Sequence, residues 1–148
     1  MKLNHLNICT SDPIAAADFF GKYFGFARSN TRPEAPIALV RDETGFTLLF
    51  SNLSKHAKPI YPEGFHFGFI VASREEVDRH YLRLSGDNYA SNPPKEMHGS
   101  YTFYFVAPGD FMMEIQCVLN SLQRPKRSQV FHLTLYSSAG FKSITGRL

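Results

Sequence analysis

One succession of elements, a strand, a helix and then further strands, is legible twice along this chain, and that duplication restricts its possible folds more than any other feature. Residues 3–10, LNHLNICT, alternate: His5, Asn7 and Cys9 share one face, and Leu6, Ile8 and Thr10 the other. Ser11-Asp12-Pro13 supplies a helix start, a capping side chain followed by a proline in the first turn. The spacing of Ala17, Phe20 and Phe24 predicts a helix from Ile14 to about Tyr23, stopped at Gly25. Short strands follow near Ala27–Asn30, Ile37–Arg41 and Phe46–Ser51, the last two joined by a turn at Thr44-Gly45.

After Ser51 the pattern lapses. Lys55, His56, Lys58, Pro59 and Pro62 mark a polar linker, taken as residues 53–64. The pattern then resumes. FHFGFIVA reads as a strand beginning at Phe65, Ser73 as an N-cap, and Arg74 to about Leu84 as a helix ended by Gly86-Asp87-Asn88. Asn92-Pro93-Pro94 is a loop with Lys95 and His98 after it. Ser100–Val106 and Phe111–Val118 are strands joined by the turn Ala107-Pro108-Gly109-Asp110. Setting His5 on His66 places Ile8 on Phe69 and Phe20 on Tyr81, so the order strand, helix, three strands is read as occurring twice. Module one is about residues 1–52 and module two about 65–118, together a single domain of about 1–120. Residues 121–148 match neither module and form an extension, with Gln129–Ser137 as an added edge strand.

Composition narrows the class. At 148 residues, 43% hydrophobic and 20% charged, the chain is long enough to bury a core and is not disordered. The net charge of +3 is modest, and much of the excess sits late, in Arg124, Lys126, Arg127, Lys142 and Arg147, so nothing points to nucleic acid. No apolar stretch approaches a membrane span, and no charged start followed by an apolar run suggests secretion. Two cysteines, Cys9 and Cys117, give no disulfide framework, so a cytoplasmic protein is expected.

Three residues invite chemistry: His5 and His66, in matching positions of the two modules, and Glu114 in the last strand of module two. Imidazole and carboxylate suit Fe, Mn, Zn, Ni or Co as divalent ions, and three protein ligands leave positions open for a substrate oxygen. Period two puts Glu114 with Met112 and Gln116 on one face, opposite Met113 and Ile115. A carboxylate in the run FMMEIQCV is otherwise costly, since an unpaired buried charge costs on the order of several kcal/mol. Tyr104 and Thr102 share that face if the turn keeps register, and the Tyr104 phenol is placed to hydrogen-bond a substrate oxygen or move a proton. Lys95 and His98 are further candidates for an anionic substrate. Cys9 reads as a cavity residue or a small buried hydrophobe.

Three stretches, HLNICTSDPIAAADFFGKYFGF, FHFGFIV and TFYFVAPGDFMMEIQ, resemble the signatures of the vicinal-oxygen-chelate superfamily, which unites glyoxalases, bleomycin-resistance proteins and extradiol dioxygenases. The resemblance covers about residues 3–118, with Ala107 in place of the usual aspartate of the closing motif. It implies an α+β fold: two βαβββ modules forming a cupped, partly open eight-stranded barrel, commonly a homodimer. It also implies one divalent metal held by His5, His66 and Glu114, with Tyr104 and Glu114 in the chemistry. Glyoxalase I enzymes supply another carboxylate at the end of module one, where Leu48 or Leu49 stands here. That departure resembles instead the three-ligand ring-cleavage dioxygenases and fosfomycin-resistance enzymes. The expected function is thus a metal-dependent enzyme acting on a small oxygen-bearing substrate chelated to the metal. The alternative is a metal-free drug-binding protein of the bleomycin-resistance type.

Overall fold

The structure is a computed structural model that describes residues 3–29, 32–53 and 58–119, and the backbone of two later strands. By its contacts the chain divides into two compact units, Met1–Val118 and Leu119–Leu148.

The first unit is α+β and built twice over. Module one comprises β1 (His5–Cys9), α1 (Pro13–Phe24), β2 (Ala27–Arg28), β3 (Ile37–Arg41) and β4 (Thr47–Ser51). Module two comprises β5 (Phe67–Ile70), α2 (Arg74–Gly86), β6 (Lys95–Met97), β7 (Ser100–Ala107) and β8 (Phe111–Val118). Each forms a four-stranded sheet, in the orders β1-β4-β3-β2 and β5-β8-β7-β6. The first strand of each sheet runs parallel to the last, and the other pairs are antiparallel. A parallel pair needs a crossover, and each module's helix lies within it. The two sheets are not hydrogen-bonded to each other among the described residues, so the eight strands do not close a barrel.

Local chemistry sets the helix ends. Asp12 accepts from the Ala15 N–H at 2.9 Å, and Gly25 closes α1 with φ 71°. Ser73 accepts from the Glu76 N–H at 3.3 Å to start α2. The core lies on the helix-facing side of both sheets. Phe20 on α1 is fully buried, with ring centroids 5.1 Å from Phe50 of module one and 6.2 Å from Phe69 of module two. The two modules thus share one aromatic core, in which each buried Phe contributes about 1.5–3 kcal/mol.

Polar contacts join the modules at two further points. Gly109, in the turn before β8, has φ 94°, and a Cβ there would stand 1.6 Å from Thr10 Oγ1. The neighbouring Asp110 accepts from Ser11 Oγ at 2.9 Å and pairs with Lys58 Nζ at 2.9 Å. At the far end of α1, Lys22 pairs with Asp87, which also accepts from the Tyr23 hydroxyl.

Three boundaries differ from the sequence reading. Residues 95–97, too short and polar to show alternation, form β6. His98 (φ 51°) and Gly99 (φ 82°) make the two-residue turn into β7, so His98 serves the backbone there. His66 stands just before β5, because a turn closed from the Phe65 N–H to the Pro62 carbonyl at 3.0 Å occupies the residues ahead of it. The strand expected over Ala27–Asn30 is paired at Ala27–Arg28, and Asn30 lies outside the described residues. In the second unit, β9 (Phe131–Leu135) pairs antiparallel with β10 (Lys142–Gly146) in a two-stranded sheet. The rest of the extension lies outside the described residues. Among the described residues no helix is long and apolar enough to cross a membrane.

Candidate functional site

The face of the module-two sheet away from the helices carries the polar cluster. In the antiparallel ladder, Tyr104 lies opposite Glu114 and Thr102 opposite Gln116, so all four share that face. The parallel ladder sets Gly68 beside Glu114. Gly68 is required there: a Cβ would fall 1.9 Å from the Glu114 carbonyl oxygen, so any larger residue would push β5 off β8.

Glu114 is 8% exposed, and its carboxylate is well supplied with partners. Oε1 accepts from Thr102 Oγ1 at 2.8 Å, and Oε2 accepts from Gln116 Nε2 at 3.3 Å. His66 Nε2 lies 3.5 Å from Oε2. The His66 ring meets Tyr104 edge-on, with centroids 5.3 Å apart. Burial, and then the neighbouring Glu114 carboxylate, pushes the Tyr104 phenol up to about 12, so near neutrality it is a donor.

The orientation of His66 follows from its other nitrogen. Nδ1 is 2.8 Å from the Gly64 carbonyl, which can only accept, so Nδ1 carries the hydrogen. In the neutral ring Nε2 is then a lone pair facing a carboxylate oxygen. Two acceptors opposed in this way are stabilised by a positive charge shared between them. Nδ1 held by a carbonyl is also the usual way a metal-ligating imidazole is oriented.

The chemistry of this pair suits a divalent ion. Among the described residues, however, no three His, Cys, Asp or Glu side chains are grouped closely enough to hold one. His5 is exposed on β1, with Nδ1 2.8 Å from Asn4 Oδ1. The structure therefore brings together His66, Glu114, Tyr104 and Thr102, and leaves His5 outside any such group. Lys95 lies opposite Thr102 at the sheet edge, exposed on the same face. Cys9 is exposed on module one, and Cys117 is buried.

Register also shows which leucine takes the place in module one that Glu114 has in module two. Leu49 pairs with Asn7 and Leu39 on the face away from α1, and Leu48 is buried in the core. Sequence reasoning overlooked Gly64, Gly68 and the carboxylate-holding role of Gln116. The signal available was the run EGFHFG, in which two glycines flank the histidine within five residues.

The sequence matches the Glyoxalase/Bleomycin resistance protein/Dioxygenase superfamily over residues 2–115. A solved structure described as a possible glyoxalase from Bacillus cereus is 43% identical, with a TM-score of 0.69 over 79% of this chain and 99% of that one. A lactoylglutathione lyase from Agrobacterium tumefaciens is 17% identical, with a TM-score of 0.61 over 78% of this chain and 92% of that one. A glyoxalase/dioxygenase from Nostoc punctiforme is 18% identical, with a TM-score of 0.62 over 80% and 92% of the two chains. The last two share the fold alone. None of the curated proteins matches the sequence. With the family match spanning both modules and a relative of this identity covered almost end to end, the chain belongs to the glyoxalase/bleomycin resistance protein/dioxygenase superfamily.

Proposed function

We propose that the protein is a divalent-metal-dependent enzyme acting on a small oxygen-bearing substrate, with His66 and Glu114 as the core of the metal site. The observation that carries this reading is His66 Nε2 set 3.5 Å from Glu114 Oε2, with Nδ1 already engaged. His5 is the third proposed ligand, in the position of module one that matches His66. A divalent ion there would act as a Lewis acid on vicinal substrate oxygens. Thr102 and Gln116 hold the carboxylate in orientation. Tyr104, protonated near neutral pH, donates a hydrogen bond to a substrate oxygen.

Leu49 weighs against the four-ligand chemistry of glyoxalase I and leaves ring cleavage or thiol addition as the proposed reaction classes. Oxygen uptake with catechols would select the first, and thiol-dependent consumption of an epoxide such as fosfomycin the second. Elemental analysis of the protein as isolated tests the main claim. Near-stoichiometric metal, lost in His66→Ala and Glu114→Ala, is expected. Full occupancy in both variants would overturn it.

A second reading, a metal-free small-molecule binder, has its own support. Glu114 already has Thr102 and Gln116 as partners, and Ile70, Val106 and Met112 are exposed on the same face. An apolar ligand could cover these side chains. Melting temperatures unchanged by Mn(II), Zn(II) and Fe(II), in protein isolated without metal, would favour it. Either reading includes a homodimer covering exposed sheet edges. Sedimentation showing only monomer at micromolar concentration would remove that part.

A further inference from the structure

We propose that a groove at the C-terminal ends of β1 and β4 in module one is a second ligand site, taking a small uncharged molecule with an amide or hydroxyl on an apolar body. The groove has a volume of about 420 Å³ and is lined by Asn7, Cys9, Thr10, Ser51 and Asn52, with Leu53, Pro59 and Ile60 forming its apolar lip. That size lies within the range of small-molecule sites.

Ser51 carries the argument. It is 4% exposed, yet its hydroxyl has no hydrogen-bond partner among the described residues. No fully enclosed side-chain oxygen or nitrogen lacks a partner among those residues, so Ser51 Oγ keeps access to the groove. A hydroxyl placed in this way is free to donate to, or accept from, a ligand in the groove. Asn7, on the same face, also has no side-chain partner among the described residues. Asn52 gives Nδ2 to the Ser11 carbonyl at 3.0 Å and keeps Oδ1 available. The groove thus offers both donors and acceptors.

Charge decides the ligand class. Among the described residues, none that lines the groove is an acid or a base such as Asp, Glu, Lys, Arg or His. The adjacent Lys58 is paired with Asp110 at 2.9 Å. An ion entering here would give up hydration without meeting a counter-charge among the described residues, whereas a neutral amide carries no charge to desolvate. Leu53 and Ile60, 69% and 96% exposed, provide apolar surface for the rest of the molecule. The site shares no residue with the His66–Glu114 cluster and does not rest on the metal reading.

Cys9 supplies the reporter, because the chain has two cysteines and Cys117 is buried. The rate of Cys9 alkylation by iodoacetamide, read by peptide mass, is measured with three matched pairs at millimolar concentration: benzamide and benzoate, nicotinamide and nicotinate, cyclohexanecarboxamide and cyclohexanecarboxylate. The amides should slow alkylation saturably and the carboxylates should not. Ser51→Ala should weaken amide binding by about three- to tenfold, the worth of one hydrogen bond. Asn7→Leu, at an exposed position, provides a second variant with the same expected direction. His66→Ala should leave protection unchanged, which separates this site from the metal site. Equal protection by amides and acids, no protection by any amide, or wild-type affinity in both groove variants would overturn the proposal.

Discussion

Leu39 opposite Leu49 in module one and Tyr104 opposite Glu114 in module two occupy matched places in the same ladder and carry opposite chemistry. The flanking positions diverge too. Asn7 lies beside Leu49 where Gly68 lies beside Glu114, and Ser51 stands where Gln116 does. A duplicated backbone therefore does not imply a duplicated site. A buried carboxylate is tolerated only where hydrogen-bond donors meet it, and in module two Thr102 and Gln116 provide them. Module one holds an apolar pair in place of the carboxylate and its network, and keeps an open polar groove further along the same strands.

The sharpest way to break this contrast is to make module two resemble module one. Glu114→Leu should lower divalent-metal affinity by at least about 100-fold, more than loss of an outer-shell partner costs. The fold should survive, because the Thr102 hydroxyl can turn its one hydrogen to the Ile115 carbonyl, 3.0 Å away, and so keeps a partner. Calorimetric titration with Mn(II) and Zn(II) measures it, and undiminished affinity would show that the carboxylate is a structural group.

Next comes the backbone. Gly68→Ala should destabilise by about 3 kcal/mol, at the upper end of overpacking costs, because the added methyl meets the Glu114 backbone. Asn7→Ala, at the matched position of module one, should cost under about 0.5 kcal/mol because Asn7 is exposed. Urea unfolding of the two variants gives the difference directly. Equal costs would mean that the close approach of β5 to β8 is not specific to module two.

How much of this asymmetry could be read beforehand depends on what each residue's role requires. Glu114, Tyr104 and Thr102 share a face by period-two counting, so their grouping was legible once the Ala107–Asp110 turn kept register, whereas the approach of His66 depends on how the chain enters β5. Counting could not choose between Leu48 and Leu49, because that depends on where β4 meets β1. The run EGFHFG marks Gly68, but why a glycine is needed there depends on the close approach of β5 to β8. β6 escaped because three residues, Lys-Glu-Met, are too few to alternate. His5 matches His66 in order, yet among the described residues it belongs to no group of three candidate ligands. Position along a strand says nothing about the distance between two sheets that share no hydrogen bonds.

The reverse exchange gives a smaller effect. Leu49→Glu places a carboxylate opposite Leu39, which offers no donor. The expected loss is about 1–2 kcal/mol, below that of a fully buried charge, since Leu49 is half-buried and Arg41 lies two residues from Leu39. Denaturant midpoints measure it. Full stability would mean that module one can host a carboxylate unaided and that donor supply is not what separates the modules.

The smallest effect concerns the two hairpin aspartates. For Asp42, in the module-one turn, burial works to raise the pKa but is outweighed by hydrogen bonds from Thr44 and Phe46, so it is held low within its own turn. Asp110 is lowered by Lys58 and then Ser11, so the same chemistry ties module two to module one. A carboxylate whose folded pKa lies below the ordinary 3.8 adds stability above that value and loses it as pH falls through the folded value. Asp110→Asn should therefore be less stable than wild type at pH 7, by under about 1 kcal/mol because the pair is part-exposed and screened. The gap should close below about pH 4, where the wild-type carboxyl is increasingly protonated. Salt should narrow it for Asp110→Asn more than for Asp42→Asn, because the Lys58 pairing is ionic while the Asp42 contacts are hydrogen bonds from neutral groups. Thermal melts across pH 3–7 at two salt concentrations would show whether the modules are joined by charge at this turn or by packing alone.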